Sequence, residues 1–486
     1  MNTSFILIFF SYISAMIFIG WWVSRRQKSG DDFLFADRKV PFLLSLGTTV
    51  ATMVGTGSSM GAVGFAYHNG WAGALYGLGG ALGILFLAWI FAPIRKFKFS
   101  TMSEELSYYV DNNVYVKNIV AFIIYAASIG WLGAHVIGGG MYLSWLTGID
   151  MHWAKLLIAL SFAIYVVIGG YTAVVWTDSI QAIILFIGFI AMAYFSIDYI
   201  GGWQTMISAQ PEVNVSFLAI DKLGVLPAIS LAFAVFVGVM ATPSFRQRIY
   251  SGKCVKTVRK SFIYSGILYL GFSLVPAVIG MSAYSMEGQL DNAAFAFPHI
   301  ALNVMPITLG ALIIIAGISA TLSSASSDAI AGVSVLLTDI YELILGRTPN
   351  KDKMVLFSRL GLIFTISTAL VLAMLSNNII SYITNMISIL MSGMCVCGLL
   401  GRLWPRYNWQ GAIATLISGM LTAISVSSYK PWNDYFGNPV LPSIAFAFLT
   451  GVLITVLTSR GISAQSKNTA VLNKLSTEKP MLPTSG

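Results

Sequence analysis

The chain has 486 residues, of which 57% are hydrophobic and 10% charged, with a mean hydropathy of +0.79. Soluble domains carry about 25% charged residues, and apolar runs recur here from residue 5 to residue 459. This excludes a soluble or monotopic enzyme, a nucleic-acid binder and a secreted disulfide scaffold. The net charge of +9 is then first a signal of membrane topology.

A hydrocarbon core about 30 Å thick takes about 20 helical residues to cross. Windows that meet this test fall at 5–23, 42–67, 72–94, 118–146, 153–172, 178–198, 225–245, 261–286, 307–338, 354–376, 379–400, 409–428 and 441–459. They predict an all-α polytopic membrane protein of about 13 transmembrane helices. The first window has no basic leader or small-residue cleavage site and reads as a retained span. Window 307–338 is longer than a straight crossing needs, so it tilts or protrudes. The polar stretch after Ser459 is expected to be disordered.

Assigning the loops to alternating sides puts all but three of the 28 Lys and Arg residues on one side, the three being Lys155, Lys222 and Lys430. Positive charge accumulates on the cytoplasmic side. The expectation is an N-terminus outside, a C-terminus inside and an odd number of helices. In this tally Arg246 and Arg248 count as loop charges. Cys254, Cys395 and Cys397 are odd in number and make no disulfide framework. The last two read as small buried hydrophobes.

Polar or glycine-rich stretches within spans carry the functional information. The second span, from Gly47 to Gly64, alternates glycines with threonines and serines, and Gly55 to Gly57 is its weakest point. It is either a close-packing helix or a discontinuous one that lends free backbone groups to a ligand. The sixth span opens Gly169-Gly170-Tyr-Thr-Ala-Val-Val-Trp176-Thr177-Asp178. Asp178 is either an N-cap or a carboxylate at membrane depth, which costs roughly 2.5–3.5 kcal/mol unless paired. A hard cation such as Na⁺ would pair it. The seventh span meets Pro243, which must break or kink it. Broken spans five apart suit two inverted repeats.

In the ninth span Ala320, Ser323, Ser324 and Ser327 share one helical face, with Asp328 at its edge and Ser326 roughly 60° to the other side of Ser323. Such a stripe either packs closely or supplies oxygen ligands to a small cation. No His, Cys and acid spacing for zinc or iron is present. His68, His135, His152 and His299 are scattered, and His135 lies within a span, where it packs or lines a cavity.

The Gly169–Gln181 run G-G-x-x-A-V-x-W-T-D-x-x-Q, the Ala320–Ser327 run and the Thr338–Tyr341 T-D-I-Y together resemble the sodium:solute symporter family. The resemblance implies a five-plus-five inverted-repeat core with one leading and two trailing helices. On this chain it places a leading helix and cytoplasmic loop at 1–41 and repeats at 42–206 and 207–400. Trailing helices follow at 401–459 and a polar tail at 460–486. It implies Na⁺ as coupling ion, held by Ala51 and Val54 through their carbonyls and by Ala320, Ser323 and Ser324. Some members hold a second Na⁺, and the matching residues here are Asp178, Ser323, Ser326 and Ser327, which favours two ions per cycle. Asp328 departs from the family pattern; it is a third acid near the ion path, a proton site or the partner of a loop arginine.

The family's sugar carriers place an amide on the broken seventh span, where this chain has Ala241-Thr242-Pro243-Ser244-Phe245. An amino acid or a quaternary amine is therefore favoured over a sugar. The expected solute-site residues are Thr56, Ser58, Ser59, Trp131, His135, Thr242, Ser244 and Asn385. The partners implied are a small solute and the lipid bilayer, with no nucleic acid, in a monomer or weak oligomer of the bacterial inner membrane. The rivals are a proton-coupled or passive carrier of the same fold and a membrane solute sensor. A membrane enzyme would need paired acids, a metal spacing or an activated nucleophile, and the sequence offers none.

Overall fold

The computed structural model describes residues 3–25, 27, 29–287, 290, 292–375, 383 and 385–459. The tail 460–486 and the first residues of window 379–400 lie outside the described residues. Among those described the chain is helical, with one isolated bridge between Val40 and Gly252. Helices satisfy their own backbone groups, as a hydrocarbon solvent demands.

Nine helices among the described residues are long and apolar enough to cross a membrane, or ten if the bent pair Val225–Ala241 and Pro243–Ser251 is one span. Two shorter apolar helices are Phe42–Met53 and Ile387–Leu403. The difference from the predicted windows has a physical cause. Met151–Tyr199 runs for 49 residues, or roughly 74 Å at about 1.5 Å per residue, more than twice a core of about 30 Å. It turns at Gly170, where φ is 54° and ψ is −154°, so it supplies two crossings. Counted that way, with the broken and short segments included, the helices amount to about thirteen crossings.

Gly170 explains the paired glycines of the sequence motif. Its backbone lies in a region that only glycine adopts without strain, and a Cβ there would meet the Phe33 carbonyl at 2.6 Å. Phe33 belongs to the short helix Gly30–Phe35 that leads into the second span. Gln27 Nε2 donates to the Gly169 carbonyl at 2.8 Å, satisfying an acceptor that the turn frees. The loop between the first two spans is thus wedged against the turn between the fifth and sixth.

Beyond the turn, Ile183, Ile187, Ile190 and Tyr194 are exposed along one helical face, while Asp178, Gln181, Leu185, Phe189 and Met192 are buried on another. An exposed aliphatic stripe on a membrane helix is its lipid face. The helix Met151–Tyr199 as a whole packs against Thr3–Ser24, Phe42–Met53, Val114–Thr147 and Ile307–Val335. Trp409–Ser428 and Val440–Thr458 pack chiefly on each other.

Gly170→Ala is expected to cost about 1–3 kcal/mol, because it forces a side chain into a glycine-only backbone conformation. Thermal unfolding in detergent measures this; an unchanged midpoint would contradict the wedge.

Candidate functional site

The second span breaks where its glycines predict. The helix Phe42–Met53 ends at Val54, with φ −89° and ψ 62°, and helical winding resumes through a wide turn at Gly57–Gly61. Ser58 Oγ donates to the carbonyls of Met53 and Gly55, each at 3.1 Å, and Ser59 Oγ donates to Gly55 at 3.0 Å. Both serines thus donate to carbonyls of the break itself. Gly55 is required because a Cβ would meet Ser324 Oγ at 2.7 Å.

Ile307–Val335 closes over this break. Ser323 Oγ donates to the Ala51 carbonyl at 3.1 Å and to the Ala320 carbonyl at 3.3 Å. Ser324 Oγ donates to the Thr52 carbonyl at 3.3 Å. Ala51, Ala320 and Ser323 therefore converge, Ser324 lies one residue along, and Val54 sits fully buried at the break. The donors are all oxygen and come from a helix end and a facing helix, a set that suits an alkali cation.

Asp178 is placed differently from its N-cap reading. Because the helix turns at Gly170, Asp178 lies two turns inside it and is completely buried. Its Oδ2 accepts from Thr48 Oγ1 at 2.6 Å and from Ser327 Oγ at 3.1 Å, and lies 3.3 Å from Arg248 Nη2. Arg248 Nη2 also lies 2.7 Å from Ser327 Oγ and 2.9 Å from Thr48 Oγ1, and it contacts Thr52 Oγ1. Its Nη1 donates to the Ser244 carbonyl at 2.8 Å. The cation paired with Asp178 is thus a guanidinium from this chain. Of the hydroxyls grouped with Asp178, only Ser327 touches it; Ser323 turns to Ala51, and Ser326 donates to the Ser323 carbonyl at 3.0 Å.

Arg248 is the residue sequence reasoning missed, because it was counted as a loop charge. Thr242 is where the span bends by 43°, and Pro243 at the first position of the next helix needs no donor there. The chain then continues inward as Pro243–Ser251, and Arg246 and Arg248 are each only 1% exposed. Arg246 lies 3.5 Å over the Phe91 ring and 3.7 Å from buried Glu105, which also accepts from Tyr250 and Tyr109. The signal available was Phe245-Arg-Gln-Arg248 following a helix-starting proline without an intervening turn residue.

A cavity of about 50 Å³ lies between the two breaks, lined by Trp131, His135, Thr242 and Ser244 as expected, together with Tyr76, Phe245, Tyr269 and Asp328. Thr56 stands behind it, 3.0 Å from His135 Nδ1. Asn385 is exposed, and Ile387, two residues further round the helix, lines the cavity in its place. Among the described residues Asp328 pairs with no loop arginine: its Oδ2 lies 3.3 Å from His135 Nε2.

Residues 33–419 match the sodium:solute symporter family. Among similar proteins, the sodium/glucose cotransporter of Vibrio parahaemolyticus is 24% identical, the alignment covering 95% of this chain and 93% of that one. The uncharacterized symporter YwcA of Bacillus subtilis (strain 168) is 23% identical over 94% of this chain and 95% of its own. Among solved structures, a substrate-bound, outward-open Na⁺-coupled sialic acid symporter superposes with a TM-score of 0.82 at 21% identity, covering 94% of this chain and 98% of that one. Mhp1, a nucleobase-cation-symport-1 family transporter, gives 0.62 at 12% identity, covering 90% and 96%. MhsT in complex with L-phenylalanine gives 0.56 at 16%, covering 85% and 99%. At these identities the structural likeness establishes the fold, a five-plus-five transporter core.

Breaking a buried ion pair from one side costs about 3–5 kcal/mol, so Arg248→Gln is expected to lower thermal stability strongly. Adding Asp178→Asn should recover part of the loss, since no buried charge is then left unpaired. Thermal unfolding of the singles and the double checks this; simple additivity would mean the two side chains do not interact.

Proposed function

The chain belongs to the sodium:solute symporter family, and from that premise we propose that it imports a small organic solute with two Na⁺ per cycle. An amino acid or a quaternary amine is favoured over a sugar. The observation that carries this reading is the meeting of Ser323 Oγ with the Ala51 carbonyl at 3.1 Å, where the broken second span faces the ninth. Na⁺ at Ala51, Val54, Ala320, Ser323 and Ser324 would join those two spans and so complete the cavity wall. The second ion would share Asp178 with Arg248, entering at Oδ1, which has no partner among the described residues.

In this reading the first repeat spans 42–206 and the second 207–400, each opening with a broken span. The trailing helices occupy 401–459. Binding of Na⁺ and then solute shifts the population toward a state open to the other side. Each Na⁺ that moves down about 100 mV gains roughly 2.3 kcal/mol, and a tenfold concentration ratio adds about 1.4 kcal/mol. Two ions thus sustain a solute gradient on the order of 10⁵. The charge asymmetry supports an outside N-terminus and a cytoplasmic C-terminus in a bacterial inner membrane. Burial of Arg246 and Arg248 removes them from the loop tally without reversing it.

The contact of His135 Nε2 with Asp328 Oδ2 at 3.3 Å, a histidine beside a carboxylate in the cavity wall, favours one other reading, a proton-coupled carrier. Uptake into proteoliposomes in Na⁺ and in choline buffer, each at two pH values, separates the two. Ser323→Ala is expected to raise the half-saturating Na⁺ concentration about tenfold, the equivalent of one lost ligand. An unchanged Na⁺ dependence would remove Ser323 from the site.

A further inference from the structure

The central cavity is lined by a carboxylate, Asp328, whose ion-pair contact among the described residues is with a histidine alone. Asp328 is 3% exposed, and its Oδ1 has no hydrogen-bond partner among the described residues. Its Oδ2 faces His135 Nε2 at 3.3 Å. The other ring nitrogen, Nδ1, lies 3.0 Å from Thr56 Oγ1, which lies 3.2 Å from Thr321 Oγ1. An imidazole with its proton on Nε2 satisfies this chain while remaining neutral. With that tautomer Oδ2 is met by the imidazole, and Oδ1 stays open to a further donor. Arg248 and Arg246 are committed to Asp178 and Glu105, and no Lys or Arg ion-pairs with Asp328 among the described residues.

A buried carboxylate oxygen calls for a hydrogen-bond donor, and a cationic donor stabilises it most. Two further groups point to what kind of cation. Trp131 and Ser244 line the same cavity, and among the described residues Trp131 Nε1 and Ser244 Oγ also have no hydrogen-bond partner. The indole N–H can only donate, so it requires an acceptor on the ligand. The rings of Trp131, Tyr76, Tyr269 and Phe245 line the remaining wall, and aromatic faces attract an organic cation.

Na⁺ is a poor match here. It replaces its hydration shell with several oxygens, and the oxygens gather instead at Ala51, Ala320 and Ser323. The volume of about 50 Å³ holds a few waters at most, so the ligand is small or the walls part to admit it.

We propose that the Asp328 carboxylate, oriented by His135, is the recognition site for a protonated amine on the transported solute. At least one N–H of that amine bonds Oδ1, and an oxygen acceptor on the same solute meets Trp131 Nε1. This rests on the reading of the cavity as the solute site of a symporter, and it narrows the solute to small amines that retain an N–H, such as amino acids and amino alcohols. Quaternary amines, which lack the N–H, are disfavoured.

The test uses the full-length protein in detergent, with thermal stabilisation read in Na⁺ and in K⁺. The probes are matched sets: alanine against lactate, ethanolamine against ethylene glycol, and glycine against its fully methylated form, betaine. The expected result is that at least one N–H amine stabilises while its amine-free or fully methylated counterpart does not. This comparison needs no variant. Asp328→Asn should then raise the half-saturating amine concentration about 10–100-fold, the loss of one charged hydrogen bond. Its stabilisation by Na⁺ alone should persist. Asp328→Glu, which keeps the charge, should retain the preference for amines.

The proposal is overturned if amine-free partners stabilise equally, if no amine in the panel stabilises, or if Asp328→Asn leaves the amine response unchanged. It is also overturned if that variant loses the response to Na⁺ alone, which would make Asp328 an ion ligand. Amine selectivity that is equal in Na⁺ and K⁺ would uphold this site while removing the sodium-coupled reading on which it was built.

Discussion

A backbone polar group in hydrocarbon must be satisfied within the protein, and that constraint decides where this chain is able to bind anything. An unbroken helix has no carbonyl to spare. The second span gives up its regular bonding at Val54, and the seventh bends at Thr242. Both interruptions are buried, and both face the same cavity. The serines around the first break cap its carbonyls locally, which leaves Ala51 and its neighbours facing the ninth span. Fold and cavity are thus one problem, since the breaks of the second and seventh spans both border the same cavity.

Much of this was legible in the sequence because it follows from local chemistry. Hydropathy windows, the glycines at 55 and 57, Pro243 and the hydroxyl face of the ninth span each act within a few residues of themselves. The hydroxyl face that carries Ser323 is legible for the same reason, since a helical face is a matter of spacing. The paired glycines 169 and 170 were read as part of a motif, but their physical role needed the Phe33 backbone, which lies more than a hundred residues away.

What was not legible is long-range pairing. Arg248 and Asp178 are 70 residues apart, and no periodicity links them. Charge counting treats every Arg beyond an apolar window as solvated. A helix that starts at a proline and turns back into the protein defeats that rule. Asp178 was read as a helix start because the apolar window began there, whereas the turn that matters depends on φ at Gly170. The misplacement of Asn385 is of the same kind, because two residues around a helix separate an exposed side chain from one that lines the cavity.

Arg248 has a mechanical consequence. Its guanidinium reaches Thr48 and Thr52 on the second span, Asp178 on the sixth and Ser327 on the ninth, and its own backbone belongs to the second arm of the seventh. One side chain therefore ties three other spans to the second arm of the seventh. The first arm, Val225–Ala241, has no such tie through Arg248. Relative movement within the seventh span is then concentrated at Thr242, whose carbonyl side already sits in extended geometry with ψ at 125°. The bend at Thr242 is thus where the arm held by Arg248 meets the arm that it does not hold.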